Sequence, residues 1–161
     1  MNQTTPRLFY EFFVLPNYED FSRKPQDVRL GFNACLSAFQ QADVFYNYCT
    51  RRDPERISAW PKPKNLLISL CKREPQFATV QSVATAYKHL YPEGTHYIIG
   101  SPMACWGIVT KEAEIVRQWG EGPEDGMVIV RCLDGSKVVL REALEAVVHR
   151  LWPTLLPEGW Y

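Results

Sequence analysis

Between Pro25 and Asp53 no proline interrupts the chain, and Val28, Phe32, Cys35, Phe39, Ala42, Tyr46 and Cys49 follow one another at steps of 4, 3, 4, 3, 4 and 3. That spacing lines up one face of an α-helix, so residues 26–53 are predicted to form one rod of about seven turns. Pro25 suits the first helical position, and Asp27 sets a carboxylate near the positive end of the helix dipole. Arg51 and Arg52 fall in the last turn, where cations are favoured. Before the rod, Leu8, Phe9, Phe12, Phe13, Leu15, Tyr18 and Phe21 keep helical spacing over residues 6–22, but Pro16 removes a hydrogen bond and is expected to kink or split the element.

Prolines partition the rest of the helical half. Asp53-Pro54-Glu55 reads as the N-cap, first position and acidic first turn of a short helix, which Trp60-Pro61-Lys62-Pro63 ends as an extended spacer. Residues 64–73 predict a short buried helix closed by Pro75. From Pro75 to Tyr91, Phe77, Val80, Val83, Ala84, Tyr87 and Leu90 predict another, ended by Pro92 and Gly94. Residues 95–110 and 113–119 are then β-branched and aromatic. Residues 126–133 alternate as strands do, and Asp134-Gly135 leads into Lys137–Leu140, so a hairpin with a two-residue turn is expected. A last helix from about Arg141 to Trp152 presents Leu144, Val147, Val148 and Leu151 on one face and stops at Pro153.

The predicted fold is mainly α: an antiparallel helical bundle with a small C-terminal antiparallel sheet and a final helix. It is expected to be one domain over residues 1–161, with a helical core at 1–93, the sheet at 94–140, the last helix at 141–155 and a tail at 156–161. The 161 residues are 46% hydrophobic and carry 18 basic and 18 acidic side chains. Such a chain buries roughly 70% of its unfolded surface and is not disordered. The zero net charge removes the electrostatic footprint of a non-specific nucleic-acid binder. No apolar run reaches the ~18 residues of a membrane span. The opening MNQTTPRLFYEFF has no basic start, apolar stretch or small-residue cleavage site, which points to the cytoplasm.

Five cysteines, at 35, 49, 71, 105 and 132, form no CxxC or CxxH pair, so neither a zinc site nor a disulfide framework is expected. Each stands among apolar neighbours, as a buried thiol does, and the setting is read as reducing. No phosphate-binding glycine loop occurs: GEGPEDG at 120–126 carries acids where donors would be needed. The reading therefore implies no cofactor and no metal. Aromatic load in the first two helices is high, and one face of the long helix cannot hold Phe45, Tyr46 and Tyr48 together. Either that helix is buried nearly all round or a second face meets another subunit, for which a homodimer is the commonest arrangement.

Two groups of polar residues stand out. Asp43 lies beside the apolar seam, and Lys88 and His89 end a later helix expected to pack against it. Together they form either a catalytic or phosphate-binding site or a structural ion pair. Arg51, Arg52, Arg56, Lys62, Lys64, Lys72 and Arg73, interleaved with Trp60, offer cations and one stacking ring for nucleic acid, diluted by Asp53, Glu55 and Glu74. The terminal Trp160-Tyr161 pair is expected to dock on the body or on a partner.

The segment DVRLGFNACLSAFQQADVFYNY, followed about thirty-five residues later by VATAYKHLY, resembles a group of small bacterial proteins with a helical bundle similar to the HEPN superfamily. The resemblance implies an all-helical core, a dimer, a closing hairpin with a C-terminal helix, and a bacterial or phage origin. In HEPN ribonucleases it would also imply an Arg followed, after four to six residues, by His. Here the positions that spacing allows upstream of His89, His96 and His149 hold no Arg, and Arg141 lies too far from His149. The leading expectation is a non-catalytic protein acting through association. The alternatives are a nucleic-acid-directed enzyme or toxin with a non-standard site, and an RNA-binding module.

Overall fold

The long uninterrupted seam becomes the longest helix of the structure. In the computed structural model, residues 4–88, 97–100, 106–109, 113–117, 127–132 and 137–157 are described. The chain opens with α1 (Pro6–Phe9), a π turn (Tyr10–Val14) and α2 (Leu15–Arg23), then α3 (Val28–Arg52), a 3₁₀ turn (Pro54–Ile57), α4 (Pro63–Arg73) and α5 (Gln76–Lys88). The strands β1 (Tyr97–Gly100), β2 (Trp106–Val109), β3 (Ala113–Arg117), β4 (Val128–Cys132) and β5 (Lys137–Val139) follow. The described chain closes with α6 (Leu140–Glu145), a second π turn (Ala146–Leu151) and a 3₁₀ turn (Trp152–Thr154). The architecture is mainly helical, with a small antiparallel sheet and a final helix, as the apolar pattern predicts.

α3 begins later than its flanking proline suggests. Asp27 is the N-cap, its carboxylate accepting the Leu30 amide at 3.1 Å, and Pro25 lies outside the helix. A capping carboxylate satisfies an amide that has no partner within the first turn, which Pro25 cannot do from two residues further back. The predicted seam is buried at Val28, Phe32, Cys35, Ala42 and Cys49, with Phe39 and Tyr46 partly covered. Beside it runs a second buried stripe, Gly31, Ala34, Ala38, Gln41 and Phe45. Two adjacent stripes let α3 pack on α1, α2, α4, α5 and α6 at once, with α5 its main neighbour.

Gly31 belongs to this crowding. A Cβ there would stand 3.0 Å from Leu140 Cδ2 and 3.1 Å from Phe21 Cε2, both on fully packed side chains. Gly31→Ala should therefore destabilise the fold by about 1–2 kcal/mol, overpacking outweighing the helix preference of alanine, as a lowered urea midpoint would show.

Pro16 does not split the first helix. The helix widens just before it, and the Leu15 amide reaches back five residues to the Tyr10 carbonyl, so helical backbone runs unbroken from Pro6 to Arg23. The second π turn stands in the same relation to Pro153: the Trp152 amide bonds the Val147 carbonyl, again five residues back. Pro153 has no N–H for the next carbonyl, Val148, which instead accepts a hydrogen bond from the buried Tyr10 hydroxyl at 2.7 Å. The two π turns are thus tied together. Trp152, fully buried, donates its Nε1 proton to the Ala38 carbonyl of α3 at 3.0 Å and meets Phe77 edge-on.

The strands pair in chain order, β1-β2-β3-β4-β5, all antiparallel. The register sets Ile98, Ile108, Ile115, Val130 and Val138 in one row across the sheet. Val128, Ile129 and Val130 are all buried, so β4 is covered on both faces, with α6 against it. Arg131 stands opposite Lys137, a register centred on Asp134. The two-residue turn expected at Asp134-Gly135 falls outside the described residues. Residues 133–136, His89, His96, the 120–126 segment and the Trp160-Tyr161 pair lie outside the described residues. Among the described residues, no helix is long and apolar enough to cross a membrane.

Candidate functional site

A helix buried along two stripes keeps one polar stripe for solvent. On α3 this is Arg29, Asn33, Gln40, Asp43, Asn47 and Thr50, with the half-buried Leu36 between Asn33 and Gln40, and Asp43 is exposed on it. The aromatic side chains of α3 do not form the second apolar face that their number suggests. Phe32 and Phe45 are buried, and Phe39, Tyr46 and Tyr48 pack against the core.

The surplus surfaces on the first helix instead. Phe12 is 68% exposed and Phe13 51%. Both sit in the π turn, where the wider winding carries them away from the core that Tyr10 and Val14 enter. Phe9 and Phe13 stack at 5.1 Å between ring centroids. They face Val44 and Tyr48 of α3 across an open groove of about 570 Å³, whose remaining lining is polar: Thr4, Gln40, Asp43 and Asn47. The groove thus has an aromatic and aliphatic floor and a polar edge, and the exposed Phe12 is the chain neighbour of Phe13 in its lining.

Of the expected Asp43, Lys88 and His89 site, Asp43 belongs to the edge of the aromatic groove, Lys88 is the last residue of α5, and His89 lies outside the described residues. The basic stretch is also more committed than its composition implies. Arg56 Nε donates to Asp53 Oδ2 at 2.9 Å, so the Asp53 side chain pairs with it in place of capping the 3₁₀ turn. Trp60 is held by its carbonyl, which accepts the Tyr46 hydroxyl at 3.0 Å, and Arg73 lies 5.8 Å over its ring. A ring face taken by a guanidinium is no longer open to a base. Arg51, Arg52, Lys62 and Lys64 are exposed, and the Lys62 amide donates to Asn65 Oδ1 at 3.0 Å.

One polar cluster escapes a helical wheel. An ideal α-helix sets Arg141 and His149 about 80° apart, but the π turn between them winds through fewer degrees per residue and brings both to Tyr18. The His149 ring meets the Tyr18 ring edge-on at 4.9 Å. Burial raises the Tyr18 pKa, the negative charge of Glu145 adds to this, and hydrogen bonds from Ser22 and Arg141 oppose it. A phenol held neutral this way is neither base nor nucleophile near neutral pH.

Burial also raises the Cys35 thiol, and it pushes Cys49 up to about 11 with help from Asp53. Cys71 is only half-buried, against the expectation of a sealed thiol, and is raised less far by the same cause. Iodoacetamide at about pH 8 should therefore alkylate Cys71 well ahead of Cys35 and Cys49, as peptide mapping would read. Equal rates at the three would contradict this packing. Among the described residues no group of His, Cys, Asp and Glu is arranged to hold a metal ion. No protein-family model, curated protein or solved structure matches the chain.

Proposed function

We propose that this chain is a HEPN-like helical protein of a bacterial or phage cytoplasm that works by association rather than catalysis, pairing with a second copy of itself through the aromatic groove of α1, its π turn and α3. The observation that carries this reading is an apolar recess with exposed rings: Phe13, 51% exposed, lines the groove with Phe9, Val44 and Tyr48, and its chain neighbour Phe12 is 68% exposed. A two-fold contact needs one patch that meets its own copy, and exposed aromatic rings together with an apolar recess supply both sides of such a contact. The polar edge of Gln40, Asp43 and Asn47 around an apolar centre matches the usual anatomy of an interface. A chain of zero net charge offers no overall repulsion to a second copy. The kinship itself rests on the two segments quoted above.

Size-exclusion chromatography with light scattering tests the pairing. At about 100 µM the wild type should run at twice the mass of one chain, and the Phe12→Ser/Phe13→Ser variant at the mass of one. Both positions are exposed, so the variant should keep its fold, as its circular dichroism would show. A wild type that stays monomeric at that concentration would remove the proposal.

A further inference from the structure

On a face that shares no residue with the aromatic groove, α4 and α5 enclose a second one of about 390 Å³, lined by Lys64, Leu67, Ile68, Cys71, Lys72 and Gln81. Lys64, Ile68 and Lys72 recur at every fourth residue and form the outer ridge of α4. Leu67 and Cys71 form the inner wall, and Gln81 of α5 the far one, where its Oε1 accepts the Cys71 thiol proton at 3.8 Å. Ile68 is 52% exposed, an aliphatic side chain left in water at the middle of the ridge. Both lysines are exposed and neither forms an ion pair among the described residues, whereas the neighbouring Arg73 is engaged by Trp60. Eight residues of helix place their Cα atoms about 12 Å apart, one on each side of the apolar centre.

We infer that this groove is a docking site for an acidic amphipathic segment of a partner protein, a short helix whose aliphatic residues enter between Leu67, Ile68 and Cys71 while flanking carboxylates meet Lys64 and Lys72. Charge complementarity selects this occupant. Two exposed cations bracketing an aliphatic floor call for carboxylates about two helical turns apart around an apolar anchor. Nucleic acid fits less well, because none of the lining residues is aromatic, so a base has no ring there to stack on, and Trp60 of the same basic stretch is covered by Arg73.

The test uses the full chain and a fluorescein-labelled helical peptide of about sixteen residues, with leucines along one face and glutamates beside them. Fluorescence anisotropy should show saturable binding in the range of tens of micromolar. Ile68→Asp and the Lys64→Glu/Lys72→Glu variant should each weaken it by about tenfold or more. The charge-reversed variant should in turn prefer a peptide with lysine in place of glutamate, which separates recognition from loss of fold. Absence of saturable binding by the wild type would overturn the inference, as would equal affinity for wild type and both variants. So would binding of a single-stranded RNA or an anionic lipid vesicle that depends on these lysines while the peptide does not bind. The pairing of two copies through the Phe12 face is read separately by light scattering, so either reading can fail alone.

Discussion

Replacing Trp152 with alanine is expected to lower the unfolding free energy by about 3–5 kcal/mol, measured by urea denaturation followed by circular dichroism. The residue is fully buried, packs edge-on against Phe77 of α5 and donates its indole proton to the Ala38 carbonyl of α3. It therefore joins the final segment to α3 and α5, which pack on each other. Alanine removes the whole side chain and leaves a cavity that the crowded α3 is poorly placed to fill. Trp152→Phe keeps much of the packing and loses the hydrogen bond, so its cost should fall between those of wild type and alanine. An alanine variant with an unchanged midpoint would mean that the last segment is not docked on α3 in solution.

Tyr10→Phe should cost about 1–3 kcal/mol, a large effect for the loss of one oxygen atom. The hydroxyl is the donor for a buried carbonyl, Val148, whose next helical donor is missing because residue 153 is proline. Removing the hydroxyl leaves that carbonyl without a partner away from water, which costs more than an exchange of equivalent hydrogen bonds. The cause can be isolated with a double-mutant cycle. In a Pro153→Ala background a main-chain N–H becomes available, and the same Tyr10→Phe change should then cost less than about 1 kcal/mol. Equal costs in the two backgrounds would refute the link between the tyrosine and the proline.

Much of the fold was legible because prolines and apolar spacing act locally. The seam from Val28 to Cys49 specifies a helix wherever its neighbours lie, and the capping Asp27 and the prolines at 54, 63 and 75 mark its surroundings. What stayed hidden depends on other parts of the chain. The spacing of Pro16 from Phe12 and Phe13 gives no sign that the helix will widen instead of breaking, yet this widening is what turns two aromatic rings outward. Gln41 stands next to Gln40, and nothing in the sequence tells the two apart. In the fold Gln41 is fully buried, with Nε2 donating to the Pro6 carbonyl at 2.9 Å and Oε1 meeting no donor among the described residues. Asp43 looked like a companion of the seam because it follows Ala42, but one residue of helix is about 100° of rotation, enough to move it to the solvent stripe. The same rotation argument, applied with an α-helical pitch, separates Arg141 from His149, and only the π turn brings them together at Tyr18.

The aromatic face carries the functional reading, and the direct test is to ask which side chains meet across two copies. A mixture of isotope-labelled and unlabelled protein, observed by isotope-filtered nuclear Overhauser spectroscopy, reports only contacts between different chains. The account predicts cross-peaks from the ring protons of Phe12 and Phe13 in one copy to the methyl groups of Val44 and the rings of Phe9 and Tyr48 in the other. Intermolecular cross-peaks confined to another face, such as the Ile68 ridge, or none at all at a concentration where the rings stay in water, would contradict it.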